Sequence, residues 1–396
     1  MRVESPGLAP AFGSGSPIWE EALGANVLDV DGNRYIDLTS GFGVAAAGHR
    51  HPAVVSAIRH QAGRLIHGLG DAQGHELRVA LAAELKRLSP IPSPRVAFAV
   101  SGADAVELAV KTAMLATGRH RILAFQPSYH GLTLGALSLS SRHHFRQAFG
   151  RHIHRQVSRA AFGCDPAKLV EILSRGDVAA AVVEPIVGRE GILLPPEGWL
   201  SQLARLCRHQ GTLLIVDEIF TGFGRTGHWF AVQGEGLEPD LLCCGKALGG
   251  GMPVAAVIGR TSVMKTWDTP GEARHTATFV AQPLACAAAL ATLDVLRRER
   301  LIVGARRLGK RFDSVLADWP RRYPAVTAVR GRAALWGVEW RTAELAHAFV
   351  QRLRRRGLLV LAGGESGRVV QLLPPLVLAE RQLEFVLESL SIAVEQ

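Results

Sequence analysis

Long hydrophobic runs are missing from this sequence of 396 residues. A helix that crosses a bilayer needs about 20 consecutive apolar residues, whereas the longest apolar stretches, such as 213–216 and 254–258, have only the length of strands. The opening residues, 1–6, also lack the charged and then apolar pattern of a secretory signal. We therefore expect a cytoplasmic protein that has no membrane partner.

Cysteine is scarce, and its five residues form no CxxC pair. An odd number of cysteines without paired spacing predicts reduced, buried thiols and argues against a disulfide framework. His152 and His154 have the spacing of a metal-binding pair, but no cluster of carboxylates or cysteines accompanies them. We therefore expect no metal site.

Lysine is also rare, with six residues, although the formal net charge is +10. The excess of arginine is spread along predicted helices, for example at 297–300 and 352–356, and forms no single patch interleaved with aromatic residues. A basic balance without a recognition motif does not predict nucleic-acid binding, so we expect no nucleic-acid partner.

Apolar residues, in contrast, are plentiful. Hydrophobic residues make up 48% of the sequence and charged residues 20%, a balance that excludes a disordered chain. The length predicts two or three domains with a large buried core.

The order of the predicted elements indicates an α/β fold. Strands at 25–30 and 34–38 flank the turn residues 31–33 (DGN), which predicts a hairpin. From about residue 48, apolar strands alternate with helices, as in a mostly parallel sheet that helices cover on both faces. The predicted helices are 52–63, 75–88, 103–116, 166–173, 198–209 and 282–298, and the predicted strands are 96–100, 121–125, 178–183, 212–216, 241–243 and 254–258.

The pattern changes after about residue 299. Arginine-rich helices and short strands near 336–340 and 369–373 predict a smaller α+β domain. We divide the chain into an N-terminal strand segment that joins the small domain (1–47), a large domain (48–283) and the C-terminal small domain (284–396).

Small or polar residues follow several predicted strands, and ligands bind beyond the carboxyl ends of strands in such sheets. Ser101, Gly102 and Ala103 open a helix, where free N–H groups suit an anion such as phosphate. The same residues also make an ordinary N-cap. The other strands are followed by an aromatic residue, carboxylates and a lysine: Tyr129, Glu184, Asp217 and Lys246.

Lys246 differs from the other five lysines, which lie mostly in charged, helical surroundings. It stands between the apolar residues 241–244 and the glycine-rich segment 247–251. Burial lowers the pKa of an ammonium group, as a lysine that forms an imine requires. Taken alone, Tyr129 could serve only in packing, and Asp217 could be an ordinary acidic residue on the surface at the end of a strand.

Residues 222–227 (GFGRTG) match the dinucleotide-binding pattern GxGxxG, but not its context. Asp217 and Glu218 separate the glycines from the strand, and no amphipathic helix begins at 228–230. A lone match of this kind does not predict a dinucleotide site.

Several motifs, in the same order along the chain, resemble those of the class III pyridoxal-phosphate aminotransferases, such as the enzymes for acetylornithine, ornithine and 4-aminobutyrate. The resemblance covers essentially the whole chain and implies a fold-type-I pyridoxal-phosphate transferase. The motifs are 101–102 (SG), 129–131 (YHG), 184–186 (EPI), 215–227 (IVDEIFTGFGRTG), 239–246 (PDLLCCGK) and 275–279 (HTATF).

The resemblance implies a role for each matching residue. Lys246 would bond to pyridoxal 5'-phosphate and move the proton, and Asp217 would pair with the pyridine nitrogen, so both are implied to be catalytic. A protonated ring acts as an electron sink, and a fixed carboxylate keeps it protonated. Tyr129 is implied to stack on the ring. The implied cofactor-binding residues are Ser101, Gly102, Ala103, Tyr129, His130, Glu184, Asp217, Ile219, Lys246 and Thr278.

The resemblance also implies a homodimer with shared active sites. Thr278 would reach the cofactor phosphate of the other subunit, while Gly102 and Ala103 would hold the phosphate through backbone N–H groups. Glu184 is implied to orient its neighbours and not to carry a proton, and Arg225 to tie the same rim together.

Three positions depart from the pattern of the ornithine and 4-aminobutyrate relatives. Phe220 stands where they usually carry glutamine, and Arg189 stands where they place a glutamate. Gln371 stands where they place the arginine that binds the substrate α-carboxylate. The paired changes at 189 and 371 indicate that carboxylate recognition has been rebuilt.

We hypothesise that Arg189 binds the substrate carboxylate, because a guanidinium group offers bidentate geometry and a permanent charge. Arg368 is a second candidate. The alternative is that Arg189 only pairs with Glu190 or Glu197 at the rim. The predicted substrate-binding residues are Arg189, Gln371 and Phe42.

The predicted function is therefore transfer of an amino group from an amine or amino acid donor to a keto-acid acceptor by a ping-pong mechanism. The alternative on the same fold is an aminomutase or racemase, which needs no second substrate. A third possibility is a basic binding protein that keeps the fold without catalysis. The presence of Lys246, Asp217 and Tyr129 together argues against it, because binding alone does not require this set. The donor stays open, as does the choice between pyruvate and 2-oxoglutarate as acceptor.

Overall fold

The computed structural model describes residues 17–70 and 72–396. The opening residues, on which the expectation of no secretory signal rests, lie outside the described residues, as does the first part of the predicted segment 1–47. No helix within the described ranges is long and apolar enough to cross a membrane.

Helices and strands alternate along most of the described chain. Up to residue 217 the elements are β1 (Trp19–Leu23), β2 (Asn26–Asp29), β3 (Arg34–Asp37), α1 (Ser40–Gly43), α2 (Pro52–Ala62), α3 (Glu76–Leu88), β4 (Pro94–Ala99), α4 (Gly102–Thr117), β5 (Arg121–Gln126), α5 (Leu134–Leu139), α6 (His143–Arg146), β6 (Val157–Ala161), α7 (Pro166–Leu173), β7 (Val178–Val183), α8 (Trp199–His209) and β8 (Leu213–Asp217).

The second half continues with fewer parallel strands. Its elements are β9 (Leu241–Cys244), β10 (Ala255–Arg260), α9 (Thr261–Met264), α10 (Pro283–Arg298), α11 (Leu301–Leu316), α12 (Trp319–Arg322), β11 (Val326–Arg332), β12 (Leu335–Trp340), α13 (Ala343–Arg355), β13 (Leu358–Leu359), β14 (Leu361–Gly363), β15 (Val369–Leu372) and α14 (Glu380–Glu395).

The large sheet has seven strands in the order β4-β10-β9-β8-β7-β5-β6. Neighbouring strands from β9 to β6 pair in parallel, whereas β10 is antiparallel to both β4 and β9. The mostly parallel sheet predicted from the sequence is therefore confirmed. Only β6 was not among the predicted strands of this sheet.

Helices cover both faces of this sheet, and the side chains of its central strands alternate between two cores. In β5, Leu123 and Phe125 belong to one hydrophobic cluster, and Ile122 and Ala124 belong to another. Every residue of β7 is buried. Burial on both faces explains why these strands are apolar throughout and lack a polar side.

Helix α4 begins directly beyond the end of β4. The Ser101 hydroxyl accepts a hydrogen bond from the N–H of Asp104 (3.2 Å) and caps the helix. The helix ends at Gly118, which adopts the left-handed conformation with φ of 67°. The Ser101 cap therefore fixes the start of the helix at the carboxyl edge of the sheet.

The N-terminal strands join the C-terminal part of the chain. β1, β2 and β3 form an antiparallel meander, and β3 pairs in parallel with β13 through Ile36 and Leu358. A separate antiparallel sheet has the order β11-β12-β15-β14. Helix α10, in contrast, packs its buried face into the core of the large sheet. The division at residues 47 and 283 stays a prediction.

Candidate active site

A cavity of about 250 Å³ lies beyond the carboxyl ends of the parallel strands. A larger cavity, of about 460 Å³, lies beside residues 271–277 and contains neither Lys246 nor Asp217. We refer to the smaller cavity as the chamber. Its lining residues come from five segments, which follow β4, β5, β7, β8 and β9: Ser101, Gly102, Ala103, Tyr129, His130, Gly131, Leu132, Glu184, Arg189, Asp217, Ile219, Phe220 and Lys246.

The N-terminus of α4 forms one wall of the chamber. The hydroxyl of Ser101 accepts a hydrogen bond from the N–H of Asp104, and the carbonyl of Ser101 accepts one from the N–H of Ala105. Within residues 17–70 and 72–396, the N–H groups of Gly102 and Ala103 have no recorded hydrogen-bond partner. A Cβ atom on Gly102 would lie 2.9 Å from the Ile219 side chain. The wall is therefore a close-packed cradle with free N–H donors, as an anion requires.

Asp217 ends β8 and is paired with a buried histidine. The Nδ1 atom of His130 lies 2.8 Å from Oδ2 of Asp217, and Oδ1 accepts from the N–H of Ile219 at 3.1 Å. Burial alone would lower the pKa of His130. The hydrogen bond to Asp217 and the negative charges of Asp217 and Glu184 raise it above its usual value. This pairing holds one carboxylate oxygen in a fixed place in the chamber.

Lys246 lies two residues beyond the end of β9, directly after Gly245, and its backbone has a φ of 43°. A positive φ costs a non-glycine residue free energy and is most often found at functional sites. Burial lowers the pKa of Lys246 to about 8. The nearby charges of Asp217 and Glu184 oppose this change, and that of Arg189 adds to it.

Glu184 sits behind the chamber and organises two of its loops. Its carboxylate accepts from the N–H of Tyr129 at 2.9 Å and from the N–H of Gly188 at 3.0 Å. Burial raises the pKa of Glu184 to about 7, although the positive charge on His130 acts in the opposite direction. These contacts agree with an orienting part for this residue.

Arg189 lies at the mouth of the chamber. Its guanidinium carbon is 4.4 Å from the centre of the Tyr129 ring and 5.4 Å from that of Phe145. The alternative of a pair with Glu190 finds no support in the geometry, since Glu190 is buried against Arg142, whose Nε lies 2.7 and 2.8 Å from its two oxygens. In the described part of the chain, Arg189 forms no salt bridge with a carboxylate.

Gln371 lies outside the chamber lining and holds the loop that carries Arg189. Its Nε2 atom donates to the carbonyl groups of Gly188 at 3.1 Å and Arg189 at 3.2 Å. Arg368 is already engaged, with Glu339 at 3.5 Å and with the hydroxyl of Ser366 at 3.0 Å. Between the two candidates for a carboxylate-binding arginine, Arg189 is the one with a free guanidinium.

Two further predicted site residues do not line the chamber. Phe42 is 65% exposed, and it is the neighbouring Gly43 that approaches Lys246 and Phe220. Thr278 lies on an exposed loop, where its carbonyl oxygen is 2.8 Å from Nε2 of His67. Both stay predictions for contacts with molecules other than this chain.

Arg225 is fully buried, in the glycine-rich loop after β8. Its Nη1 atom donates to the carbonyl groups of Pro374 (2.6 Å) and Ala334 (3.3 Å). Burial lowers its pKa to about 10. The residue therefore ties the large sheet to the C-terminal part of the chain, close to the loop after β15.

Some neighbours of the site were not predicted as site residues, although Phe220 was noted from the sequence as a departure from the family pattern. Phe220 forms a wall of the chamber, with its ring centre 4.3 Å from Nζ of Lys246. Glu218 does not line the chamber, in contrast to Asp217, and its carboxylate accepts a hydrogen bond from the N–H of Val232 at 2.9 Å. The position of Glu218 at a strand end next to Asp217 was the available signal. No sequence signal indicated the Arg142–Glu190 pair, because these residues are far apart in sequence.

The chamber fits pyridoxal phosphate. The α4 cradle offers N–H donors for a phosphate, Asp217 offers a fixed carboxylate oxygen for a protonated ring nitrogen, and Lys246 offers an amine whose pKa is lowered by burial. Nε2 of His130 is buried in the same wall and has no partner among the described residues. An unpaired buried polar atom of this kind indicates that a bound group completes the site.

Comparisons with known proteins agree with this geometry. The sequence profile of the family "Aminotransferase class-III" matches residues 14–394. The acetylornithine aminotransferase of Methanopyrus kandleri is 40% identical over 371 residues, which cover 94% of this chain and 92% of that protein.

Solved structures give the same result. The ornithine aminotransferase of Toxoplasma gondii, described with partial occupancy of PLP at its active site, has a TM-score of 0.91 and 31% identity, covering 97% of this chain and 91% of that chain. The acetylornithine aminotransferase of Elizabethkingia anophelis has a TM-score of 0.85 and 32% identity, covering 97% and 95%. Nothing in these comparisons favours an aminomutase or racemase. The chain therefore belongs to the class-III aminotransferases, which use pyridoxal phosphate and move an amino group from an amine donor to a keto-acid acceptor.

Proposed function

We propose that this aminotransferase acts on carboxylate-bearing substrates, with Lys246 as the proton carrier and Arg189 as the carboxylate-binding residue. The observation that carries the proposal is the position of Arg189. Its guanidinium group lines the chamber together with Lys246, and it forms no salt bridge with a carboxylate in the described ranges.

Lys246 and Asp217 have the properties that these roles need. Bound pyridoxal phosphate supplies an electron sink for charge that develops at the substrate carbon. With a pKa of about 8, Lys246 has a neutral amine in a useful fraction of molecules near neutral pH. That amine can accept a proton from the substrate carbon and later donate it to another atom of the reacting molecule. The carboxylate of Asp217 is held in place by His130 and would pair with the ring nitrogen of the cofactor.

The position of Arg189 favours a planar anion as its ligand. Stacking on Tyr129 leaves the N–H edge of a guanidinium group free for a bidentate contact with a carboxylate. The amide of Gln371 fixes the backbone of the same residue. The relatives with glutamate and arginine at these two positions place the positive charge at the position of β15 and not on the loop after β7, so we expect donor preference to differ from theirs.

The proposal is tested by half-reactions followed by absorbance. Protein loaded with pyridoxal phosphate is mixed with single α-amino acids, ω-amino acids, diamines or simple amines, and with N-acetylornithine because the relatives carry that name. We expect one class to bleach the yellow cofactor and a keto acid to restore the colour. Lys246→Ala should show neither change. A rearranged product formed without any acceptor would contradict the proposal in favour of an aminomutase.

Arg189→Ala tests the carboxylate contact directly. We expect KM for pyruvate or 2-oxoglutarate to rise roughly 10- to 100-fold, the loss of a charged hydrogen-bonded contact, with kcat much less affected. Arg368→Ala is the matched control, since that arginine already contacts Glu339. An unchanged KM in Arg189→Ala would overturn this assignment.

We also propose that the chain forms a homodimer around the Thr278 loop. Three apolar side chains are exposed there, Ile66 (58%), Leu69 (61%) and Phe279 (63%). The His67 ring connects them, since it lies 5.5 Å from the Phe279 ring and its Nε2 is 2.8 Å from the Thr278 carbonyl. A cluster of exposed apolar side chains favours contact with another protein surface. A second copy would place Thr278 near the partner's chamber, as the family resemblance implies.

A further inference from the structure

The ring of Phe220 is in direct contact with the amine of Lys246. Nζ lies 4.3 Å from the ring centre, within the range of a cation–π contact. On its other side the ring packs against a small hydrophobic cluster formed by Ile186, Ile192, Leu335 and Leu373. The ring therefore covers one side of the Lys246 amine with apolar surface and leaves no room for water on that side.

Gly188 makes room for this ring, and Gly43 lies within ordinary contact distance of it. A Cβ atom on Gly188 would be 2.3–2.8 Å from three ring carbons of Phe220, and one on Gly43 would be 3.7 Å from the nearest. Gly188 cannot move away easily, because Glu184 binds its N–H at 3.0 Å and Gln371 binds its carbonyl at 3.1 Å. The position of the ring is thus set by backbone that is fixed on both sides.

Four charged groups face Lys246 from the surrounding elements. Asp217 at the end of β8 and Glu184 after β7 favour its charged form, whereas Arg189 disfavours it. His130, the fourth, is paired with Asp217. A cation–π contact also favours the charged form, but exclusion of water disfavours that form more strongly at a buried site. The loss of hydration therefore outweighs the cation–π contact, and the net effect of the ring favours the neutral amine.

We propose that Phe220, held by Gly188 and Gly43, is a positioning residue that keeps water from the Lys246 amine and directs the amine into the chamber. This inference rests on the proposed function of Lys246, whose amine must be neutral to accept a proton. Phe220 itself donates and accepts no proton. It acts only through the hydration and the orientation of the lysine.

The test is made on protein without cofactor, so its readout is independent of turnover. Lys246 is labelled with acetic anhydride across a series of pH values, and its extent of modification is measured by mass spectrometry. The exposed Lys86 in the same digest serves as internal reference. The variants are Phe220→Gln, which admits water, and Phe220→Leu, which keeps the wall apolar but removes the aromatic face.

We expect the labelling midpoint of Phe220→Gln to move upward by about one pH unit or more, because hydration restores the charged ammonium. The midpoint of Phe220→Leu should stay at or below that of the unchanged protein, since only the stabilising ring face is lost. Gly188→Ala, which leaves residues 220 and 246 intact but displaces the ring, should move the midpoint in the same direction as Phe220→Gln. Circular dichroism and Tm report whether each variant is folded.

Two results would overturn the inference: an unchanged midpoint in folded Phe220→Gln, or an equal upward shift in Phe220→Leu. Failure of the proposed function has a different signature, which is bleaching by amines that persists in Lys246→Ala. In that case the labelling profiles still report on the contact between Phe220 and Lys246, so the two failures are distinguishable.

Discussion

Glu184 and Glu218 are buried acidic side chains whose pKa values are both raised to about 7, mainly by burial. Glu184 holds loops of the chamber, whereas Glu218 binds the N–H of Val232 and the hydroxyl of Thr221 behind it. A carboxyl group with a raised pKa keeps its proton in the folded state after the unfolded chain has released it. Such a group therefore stabilises the fold less as the pH rises.

This sign gives a prediction for Glu218→Gln. Between about pH 4.5, where an unfolded glutamate ionises, and about pH 7, the free energy of unfolding should fall with rising pH. Glutamine can accept from Val232 and needs no proton, so the variant should lose much of this slope and gain roughly 1–3 kcal/mol relative to the unchanged protein at pH 8. Urea unfolding at pH 5.5 and pH 8 measures both. An identical slope in the variant would contradict the assignment.

At the scale of single elements, the N-terminus of α4 combines two duties. Its cap, Ser101, is a structural group, whereas the neighbouring N–H donors of Gly102 and Ala103 are free for a ligand. The two duties are separable because a carboxylate can also cap a helix but repels a phosphate.

We predict opposite effects for two substitutions of Ser101. Ser101→Ala should lower the free energy of unfolding by about 1 kcal/mol, since the N–H of Asp104 loses its partner. Ser101→Asp should keep that stability but weaken cofactor binding about tenfold or more through charge repulsion. Denaturant unfolding without cofactor and a fluorescence titration with pyridoxal phosphate measure the two effects.

Thr342→Ala is the control for these variants. Thr342 caps α13 in the same manner, with its hydroxyl accepting from the N–H of Leu345 at 3.3 Å, and it lies outside the chamber lining. Its loss should cost a similar stability while leaving cofactor affinity unchanged. If Ser101→Asp bound the cofactor as tightly as the unchanged protein, the α4 cradle would not be the phosphate site.

The success of the sequence predictions also depends on the element. β5, β7 and β8 were located to within a residue or two, because strands buried on both faces are apolar throughout. β6 was missed because it lies at the sheet edge and its sequence (VSRAA) is partly polar. Edge strands keep only one neighbour and so need less apolar surface.

The same reasoning separates the site residues that were found from those that were not. Asp217 and Lys246 were predicted as groups that meet at one edge because each follows a parallel strand. The hydrogen bonds from Gln371 to Gly188 and Arg189 cross between β15 and a distant loop. The fit of Phe220 against Gly188 is likewise a matter of tertiary packing. Local sequence patterns carry no signal for such contacts.

At the scale of the whole molecule, the proposed dimer makes a prediction about the Thr278 loop. Ile66→Asp and Phe279→Asp place a charge in the exposed apolar cluster, so both should shift the protein from dimer to monomer and weaken cofactor binding. Light scattering coupled to size-exclusion chromatography measures the mass.

Val170→Asp is the matched control for the dimer variants. Val170 is also an exposed apolar residue, at 43%, but it lies on α7, away from this loop. The control should leave the mass unchanged. A monomeric mass for the unchanged protein at micromolar concentration would contradict the proposed dimer.

The parallel pairing of β3 with β13 has a consequence for the order in which the chain can fold during synthesis. Ile36 emerges from the ribosome long before its partner Leu358, and at roughly 5–20 residues per second the delay is tens of seconds. Throughout that time β3 presents an open strand edge, to which other nascent chains could add. A stalled or truncated chain that ends before residue 358 never closes this edge. The edge of β3 is therefore closed only after residues 358 and 359 have been synthesised.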